Sequence, residues 1–300
     1  MSRIHEALKK AEQERAAAQG NVLDVPAVGE MPNQADVTMS SAAGVHAPSY
    51  GPQFTYDALL ARCPQNAWHP DEKTMLFFSS LEHSAGMEEF RTLRSRLYQL
   101  REKFPLKKVL VSSSLPKEGK SFVAANLAQV MVKQHGRRVL LIDGDLRGSR
   151  LHTTLGTQAS PGLSDYLIGE SDEFAVMQRG PIENLFFIAA GRQVASPAEL
   201  VANGRLKVLL NRVETLFDWI VLDSPPAVPV SDASLLANFC DGVVIVVRSN
   251  VTPSDIARKI RQEFRDKQLL GVVLNGVDAE SSAYSRYYYG YEEGVAESKG

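Results

Sequence analysis

The chain has 300 residues, 44% of them hydrophobic and 23% charged, which is enough apolar mass for one sizeable core with extensions. A formal net charge of −2 gives no electrostatic ground for broad binding to nucleic acid or to an anionic membrane surface. The longest apolar runs, such as Val243 to Val247, are strand-length, the N-terminus lacks a signal-peptide core, and Cys63 and Cys240 fit neither a metal spacing nor a disulfide framework. A cytoplasmic chain that reaches a membrane only through a partner is therefore expected.

Residues 1–20 read as a charged helix capped by Ser2, with Ile4, Ala7, Leu8 and Ala11 on a narrow apolar face and Gly20 as its stop. So little apolar surface leaves such a helix fraying when alone; the sharper reading is a docking element. Residues 21–75, rich in Pro, Gly, Ala, Ser and Asn and without periodicity, predict a flexible linker, and order is expected again near Leu76-Phe77-Phe78. A catalytic domain is expected over 76–278, followed by a flexible tail over 279–300. Its first helix, Gly86 to Lys103, turns Met87, Phe90, Leu93, Leu97 and Leu100 toward a core. Beside them Glu88, Arg91 and Arg94 are surface neighbours, able to pair with one another, to pair across to another subunit, or to stay solvated.

From Lys107 onward strands and helices alternate. Strands are expected over 108–113, 138–142, 185–189, 218–222, 242–248 and 270–275, and helices around 120–134, 163–168, 198–215, 231–238 and 253–267. This alternation predicts an α/β fold: a doubly wound, mostly parallel sheet with helices on both faces and its ligand at the carboxyl ends of the strands.

The first of those ends carries Ser112-Ser113-Ser114-Leu115-Pro116-Lys117-Glu118-Gly119-Lys120-Ser121, between an apolar strand and an apolar helix face running from Phe122. That context makes it a phosphate-binding loop of the P-loop NTPase kind, in which backbone N–H groups and a helix N-terminus favour an anion. Pro116, Glu118, Gly119, Lys120, Ser121 and Phe122 are the expected nucleotide-binding residues, with Lys120 on the β- and γ-phosphates and Ser121 on a magnesium ion. Ser114 stands where the first glycine of the usual loop would be. A second strand end carries Asp143-Gly144-Asp145-Leu146-Arg147. In an extended segment, residues two apart point the same way, so both carboxylates could face one magnesium-phosphate cluster. A third carries Asp223, followed by Ser224-Pro225-Pro226, in the position of a magnesium-holding aspartate. Arg147 either steadies the phosphates or pairs with Asp145, and Asn275, after the last strand, is placed to read the adenine edge. Five of the 9 tyrosines, Tyr284, Tyr287, Tyr288, Tyr289 and Tyr291, crowd the tail. They lack aliphatic neighbours for a core, and beside a phosphoryl-transfer site they read as phosphoacceptors.

The set S-x-x-P-x-E-G-K-S, D-G-D-L-R and I-V-L-D-S-P-P resembles the bacterial tyrosine autokinases of capsule and exopolysaccharide export, over residues 76–291. The resemblance takes in Gly162-Leu163-Ser164-Asp165-Tyr166-Leu167, Ser196-Pro197-Ala198-Glu199-Leu200, the tyrosine tail, and Glu88, Arg91 and Arg94, which in that family pack subunits into a ring. The first eighteen residues are similar to soluble autokinases of exosortase-linked exopolysaccharide loci. Ser149 departs from the pattern, since the family often has proline there. The resemblance implies a fold of the partitioning-ATPase type with a deviant phosphate loop, ATP and Mg2+ as cofactors, and phosphorylation of a neighbouring subunit's tail in trans. It assigns catalysis to Lys120, Asp143 and Asp145, with Asp143 accepting the tyrosine proton, and magnesium to Ser121, Asp145 and Asp223. It further implies a homo-oligomeric ring, a separate membrane-embedded co-polymerase as activator, a cognate tyrosine phosphatase, and a place at the inner face of the plasma membrane. The competing readings are a partitioning or site-positioning ATPase that transfers phosphate only to water, and a nucleotide-dependent scaffold. An early second lysine in the loop would favour that ATPase, but Ser113-Ser114-Leu115 has none. The H-R-D and D-F-G sets of eukaryotic-type kinases do not occur.

Overall fold

The computed structural model describes residues 54–78 and 86–277, so the N-terminal helix and the tyrosine tail expected above lie outside the described residues. Seven strands form one sheet in the order β3-β4-β2-β5-β1-β6-β7. They are β1 (Lys108–Ser113), β2 (Val139–Asp143), β3 (Met177–Arg179), β4 (Leu185–Ile188), β5 (Trp219–Asp223), β6 (Gly242–Arg248) and β7 (Leu269–Asn275). All neighbours run parallel except β3 against β4.

The central strands are buried on both faces, and the period of two divides their side chains between two hydrophobic clusters. Leu110, Leu140, Ile142, Ile220, Leu222 and Val243 join one cluster; Val109, Val111, Val139, Leu141, Val221 and Val244 join the other. The second cluster is covered by α2 (Met87–Arg101), α3 (Lys120–Val132) and, through Leu151 and Leu155, α4 (Leu151–Leu155); the first is covered by α1 (Tyr56–Arg62) and the later helices. Those are α5 (Leu163–Ile168), α6 (Glu173–Val176), α7 (Pro197–Ala202), α8 (Arg205–Val213), α9 (Asp232–Ala237) and α10 (Ser254–Glu263).

Helix α3 is buried at every position from Val123 to Val132, including Asn126 and Gln129. Their amides bind the chain that precedes α2: Asn126 Oδ1 accepts from Leu76 N–H at 2.9 Å, and Gln129 Oε1 from Phe77 N–H at 3.3 Å. The segment around Leu76 is thereby fixed over the phosphate-loop helix. On α2, Met87, Phe90 and Leu97 are buried as its stripe requires.

Three local expectations are corrected. The predicted linker ends earlier than Met75: Thr55 caps α1, Leu59 is fully buried, and Trp68 and Met75 join the core. Apolar residues scattered without periodicity were enough to anchor it. The helix expected over 198–215 is two helices, because Gly204 takes φ +84°, a left-handed conformation that breaks α7 from α8. The short antiparallel edge β3 was not expected at all; three residues are too few to show a period.

Candidate active site

Because β5 lies between β1 and β2, the carboxyl ends of three adjacent strands converge: the phosphate loop after β1, Asp143 at the end of β2 and Asp223 at the end of β5. Asp143 and Asp223 are register partners across β2 and β5. Gly144 N–H donates to the Asp223 carbonyl at 2.9 Å, and a Cβ at Gly144 would lie 2.7 Å from that oxygen, so the residue between the two acids must be glycine.

The convergence of Asp143 and Asp145 has a different origin from the one expected. The strand ends at Asp143, and the chain turns: Asp143 Oδ1 accepts from Asp145 N–H at 3.1 Å, while Asp145 Oδ1 accepts from Gly148 N–H at 3.0 Å. A pair of aspartate turns, not strand alternation, brings the second acid in. Its Oδ2 accepts from Lys120 Nζ at 2.8 Å. Lys120 Nζ also lies 3.7 Å from Asp223 Oδ2, which accepts from the Ser121 hydroxyl at 2.5 Å. One half-buried lysine thus stands among three buried aspartates.

The electrostatics follow from that imbalance. Burial, reinforced by the Asp223 charge, pushes Asp143 up to about 7 from the ordinary 3.8. Burial likewise lifts Asp223 to about 6, opposed by Lys120 and the Ser121 hydrogen bond. Burial works against the Lys120 charge, but Asp223 and Asp145 outweigh it and raise its pKa.

The phosphate loop is clamped from the ends of β6 and β7. Glu118 is buried; its Oε2 accepts from Leu115 N–H at 2.7 Å and its Oε1 from the Thr252 hydroxyl. Arg248 donates to the Lys117 carbonyl at 3.1 Å and Asn275 Nδ2 to the Glu118 carbonyl at 3.0 Å. Lys117 and Gly119 take φ of +66° and +98°, and a Cβ at Gly119 would lie 2.0 Å from Asn275 Nδ2. Glu118 is therefore a staple of the loop rather than a group facing outward, and Asn275 gives one amide hydrogen to the loop backbone. The Phe122 ring packs edge-on against Phe90 of α2, 5.7 Å between centroids.

The Arg147 side chain does not pair with the Asp145 carboxylate: its Nε and Nη2 donate to Asp232, at the start of α9, at 2.7 and 3.0 Å. Only its backbone N–H reaches Asp145, at 3.3 Å. The partner is 85 residues away, and a buried carboxylate at 2% exposure outcompetes one already bonded to Lys120. On α2, Glu88 and Arg91 pair with each other, while Arg94 donates to the Val130 carbonyl near the end of α3 at 2.9 Å.

Two buried polar atoms of this site have no partner: Ser114 Oγ and Asp223 Oδ1. Unpaired buried oxygens are costly, and both fit a ligand of phosphate with a hard cation. No group of three or more His, Cys, Asp or Glu among the described residues is arranged to hold a metal by itself.

Fold and site together define a P-loop NTPase of the doubly wound kind. A family model described as an AAA domain matches residues 117–260. Over 213 residues the chain is 34% identical to the tyrosine-protein kinase YwqD of Bacillus subtilis, covering 70% of this chain and 89% of that one. It is also 34% identical over 212 residues to the putative tyrosine-protein kinase EpsB of Ralstonia nicotianae, covering 68% of this chain but 28% of that longer one. The solved kinase domain of Escherichia coli tyrosine kinase ETK matches with a TM-score of 0.65 at 28% identity, covering 70% of this chain and 83% of that domain. The chain belongs to the bacterial tyrosine-protein kinases. No helix among the described residues is long and apolar enough to cross a membrane.

Proposed function

We propose that the protein is an ATP-dependent tyrosine autokinase that phosphorylates Tyr284, Tyr287, Tyr288, Tyr289 and Tyr291 of a neighbouring subunit. The observation that carries this reading is the buried cluster at three strand ends: Lys120 among Asp143, Asp145 and Asp223, with Asp143 raised to about 7. A base poised near neutrality is matched to removing a proton from an acceptor hydroxyl at physiological pH. The family supports the same conclusion, since a switch that transfers phosphate only to water would need no such acceptor tail.

The chain's own groups divide the work. Loop amides from Lys117 to Phe122 receive the phosphates, and Lys120 exchanges its bond to Asp145 for one to the β- and γ-oxygens. Ser121, Asp145 and Asp223 would hold magnesium, which would supply neutralisation of phosphate charge. Asp143 takes the tyrosine proton as its oxygen attacks phosphorus and ADP leaves. Asn275 and Glu118 keep the loop in shape for this, and Arg147 acts on Asp232 rather than on phosphate.

Subunits assemble into a ring through α2, with Glu88, Arg91 and Arg94 at the contact, and a separate membrane-embedded co-polymerase of exopolysaccharide or capsule export supplies the activating segment. The kinase domain spans 76–278 with the packed segment from Phe54 added to it, and the tail follows. Phosphate on the tail adds about −1.5 to −2 charges per tyrosine, so phosphorylated tails repel and the ring dissociates until a tyrosine phosphatase resets it.

Purified protein incubated with Mg-ATP tests this, with phosphate mapped on residues 280–300 by mass spectrometry beside Lys120→Ala. Tail phosphotyrosine in the parent and none in the variant is the expected result. Rapid ADP release over an unmodified tail, persisting with the activator segment added, overturns it.

A further inference from the structure

Asp143 is held by a contact that comes from neither the phosphate loop nor the other acids. Its Oδ1 accepts from Asp145 N–H at 3.1 Å; its Oδ2 accepts from the Ser149 hydroxyl at 2.6 Å. Ser149 Oγ in turn lies 3.2 Å from Nδ1 of His152, and His152 Nε2 lies 3.2 Å from Thr153 Oγ1. Among the described residues no other side chain hydrogen-bonds to Asp143.

The donor count gives this chain one direction. When the Asp143 carboxylate is ionised it only accepts, and the single hydroxyl hydrogen of Ser149 then points at Asp143. The serine then faces His152 with lone pairs alone, and the imidazole hydrogen must sit on Nδ1. His152 donates to Ser149, and Ser149 donates to Asp143.

The geometry points to Ser149, oriented by His152, as a positioning residue that fixes how the Asp143 carboxylate faces the incoming tyrosine hydroxyl. This rests on the kinase reading above. The last torsion of an aspartate is soft, and with Oδ2 released only the Asp145 N–H would restrain it. A misplacement of about 1 Å at a reacting group can cost on the order of 100-fold in rate. His152 lies in the first turn of α4, so the register of that short helix is transmitted to the base.

The test uses the full chain, read by the rate of tail phosphotyrosine formation. Ser149→Ala is expected to lower kcat about 10-fold or more, with KM for ATP and the Kd for a non-hydrolysable ATP analogue within about twofold of the parent. Ser149→Thr keeps the hydroxyl and restores most of the rate. His152→Asn, which can offer an amide N–H near the Nδ1 position, is faster than His152→Ala. Without nucleotide and at mildly alkaline pH, where Asp143 is ionised, 15N spectra of histidine-labelled protein place the His152 hydrogen on Nδ1. Where Ser149→Ala melts below the assay temperature, the His152 pair and the spectrum decide. A parental rate in Ser149→Ala, a Ser149→Thr as slow as Ser149→Ala, or a hydrogen on Nε2 overturns the assignment. A parent that releases ADP without tail phosphotyrosine overturns instead the kinase reading beneath it.

Discussion

Replacing Asp143 by Asn should stabilise the unliganded protein while abolishing transfer to tyrosine. Burial first, then the Asp223 charge, holds the Asp143 pKa at about 7 against an ordinary 3.8. Since the folded-state value is the higher one, the native state binds this proton more tightly than the unfolded chain between pH 3.8 and about 7. Stability therefore falls as pH rises through that window, and the full cost of the buried charge is present above it. A shift of about three units at 1.36 kcal/mol each sets an upper bound of ~4 kcal/mol. Asp223 titrates with it and shares the cost, so the expected gain for Asp143→Asn at pH 8 is ~1–3 kcal/mol. The asparagine carbonyl can keep the Asp145 N–H, and its amide can face the Ser149 oxygen, so no new unpaired group is needed. Urea unfolding with chelator present, run from about pH 5 to 8 for parent and variant, measures this. The two stabilities should approach one another toward the acid end and separate toward pH 8. A variant no more stable than the parent at pH 8, or a difference that does not change with pH, refutes the reasoning.

Three further outcomes follow from the clamp and the corrected pairings. Asn275→Ala removes one hydrogen bond to the Glu118 carbonyl, worth ~1 kcal/mol, so the Kd for an ATP analogue should rise about fivefold by equilibrium titration while the fold is kept. Gly119→Ala forces φ +98° on an L-residue and drives Cβ to 2.0 Å from Asn275 Nδ2; it should abolish nucleotide binding, and Asn275→Ala in the same chain should recover only the steric part. Arg147→Ala strips the partner from Asp232, which is 2% exposed, but the guanidinium is 43% exposed and screened, so a loss of ~1–2 kcal/mol in urea unfolding is expected, with analogue affinity unchanged. A fall in affinity with unchanged stability would return Arg147 to the phosphates.

The sheet and its site were legible because their signals are local. An apolar run of three or four residues that ends in Asp, or leads into a Gly-Lys-Ser turn, states both the strand and the place where its chemistry must emerge. The helix face of α2 was legible for the same reason. What was missed depends on contacts between distant segments. Leu59, Trp68 and Met75 give no periodic pattern, so their burial is decided by whether the core has room for them, which composition does not report. Asn126 and Gln129 look like polar interruptions of an apolar helix, yet each is tied to backbone 50 or more residues away.

The functional residues divide in the same way. Lys120, Asp143, Asp145 and Asp223 are identified by type and by position after a strand, and they do converge. Their supports are not so identified. Glu118, Asn275 and Arg147 have side chains that suit a ligand as well as they suit a neighbour, and only the fold shows that Thr252, the loop backbone and Asp232 have already engaged them. Ser149 is the instructive case. As a departure from a family pattern it carried no chemistry in the sequence, because a serine after an aspartate turn is an ordinary loop residue. The turn that carries Asp145 into the site also bends the chain back, so that position 149 meets Asp143, six residues before it. A substitution at such a place changes what surrounds Asp143 while leaving Lys120, Asp143, Asp145 and Asp223 intact. Differences among relatives that share Lys120, Asp143, Asp145 and Asp223 are therefore best sought in the turn after β2.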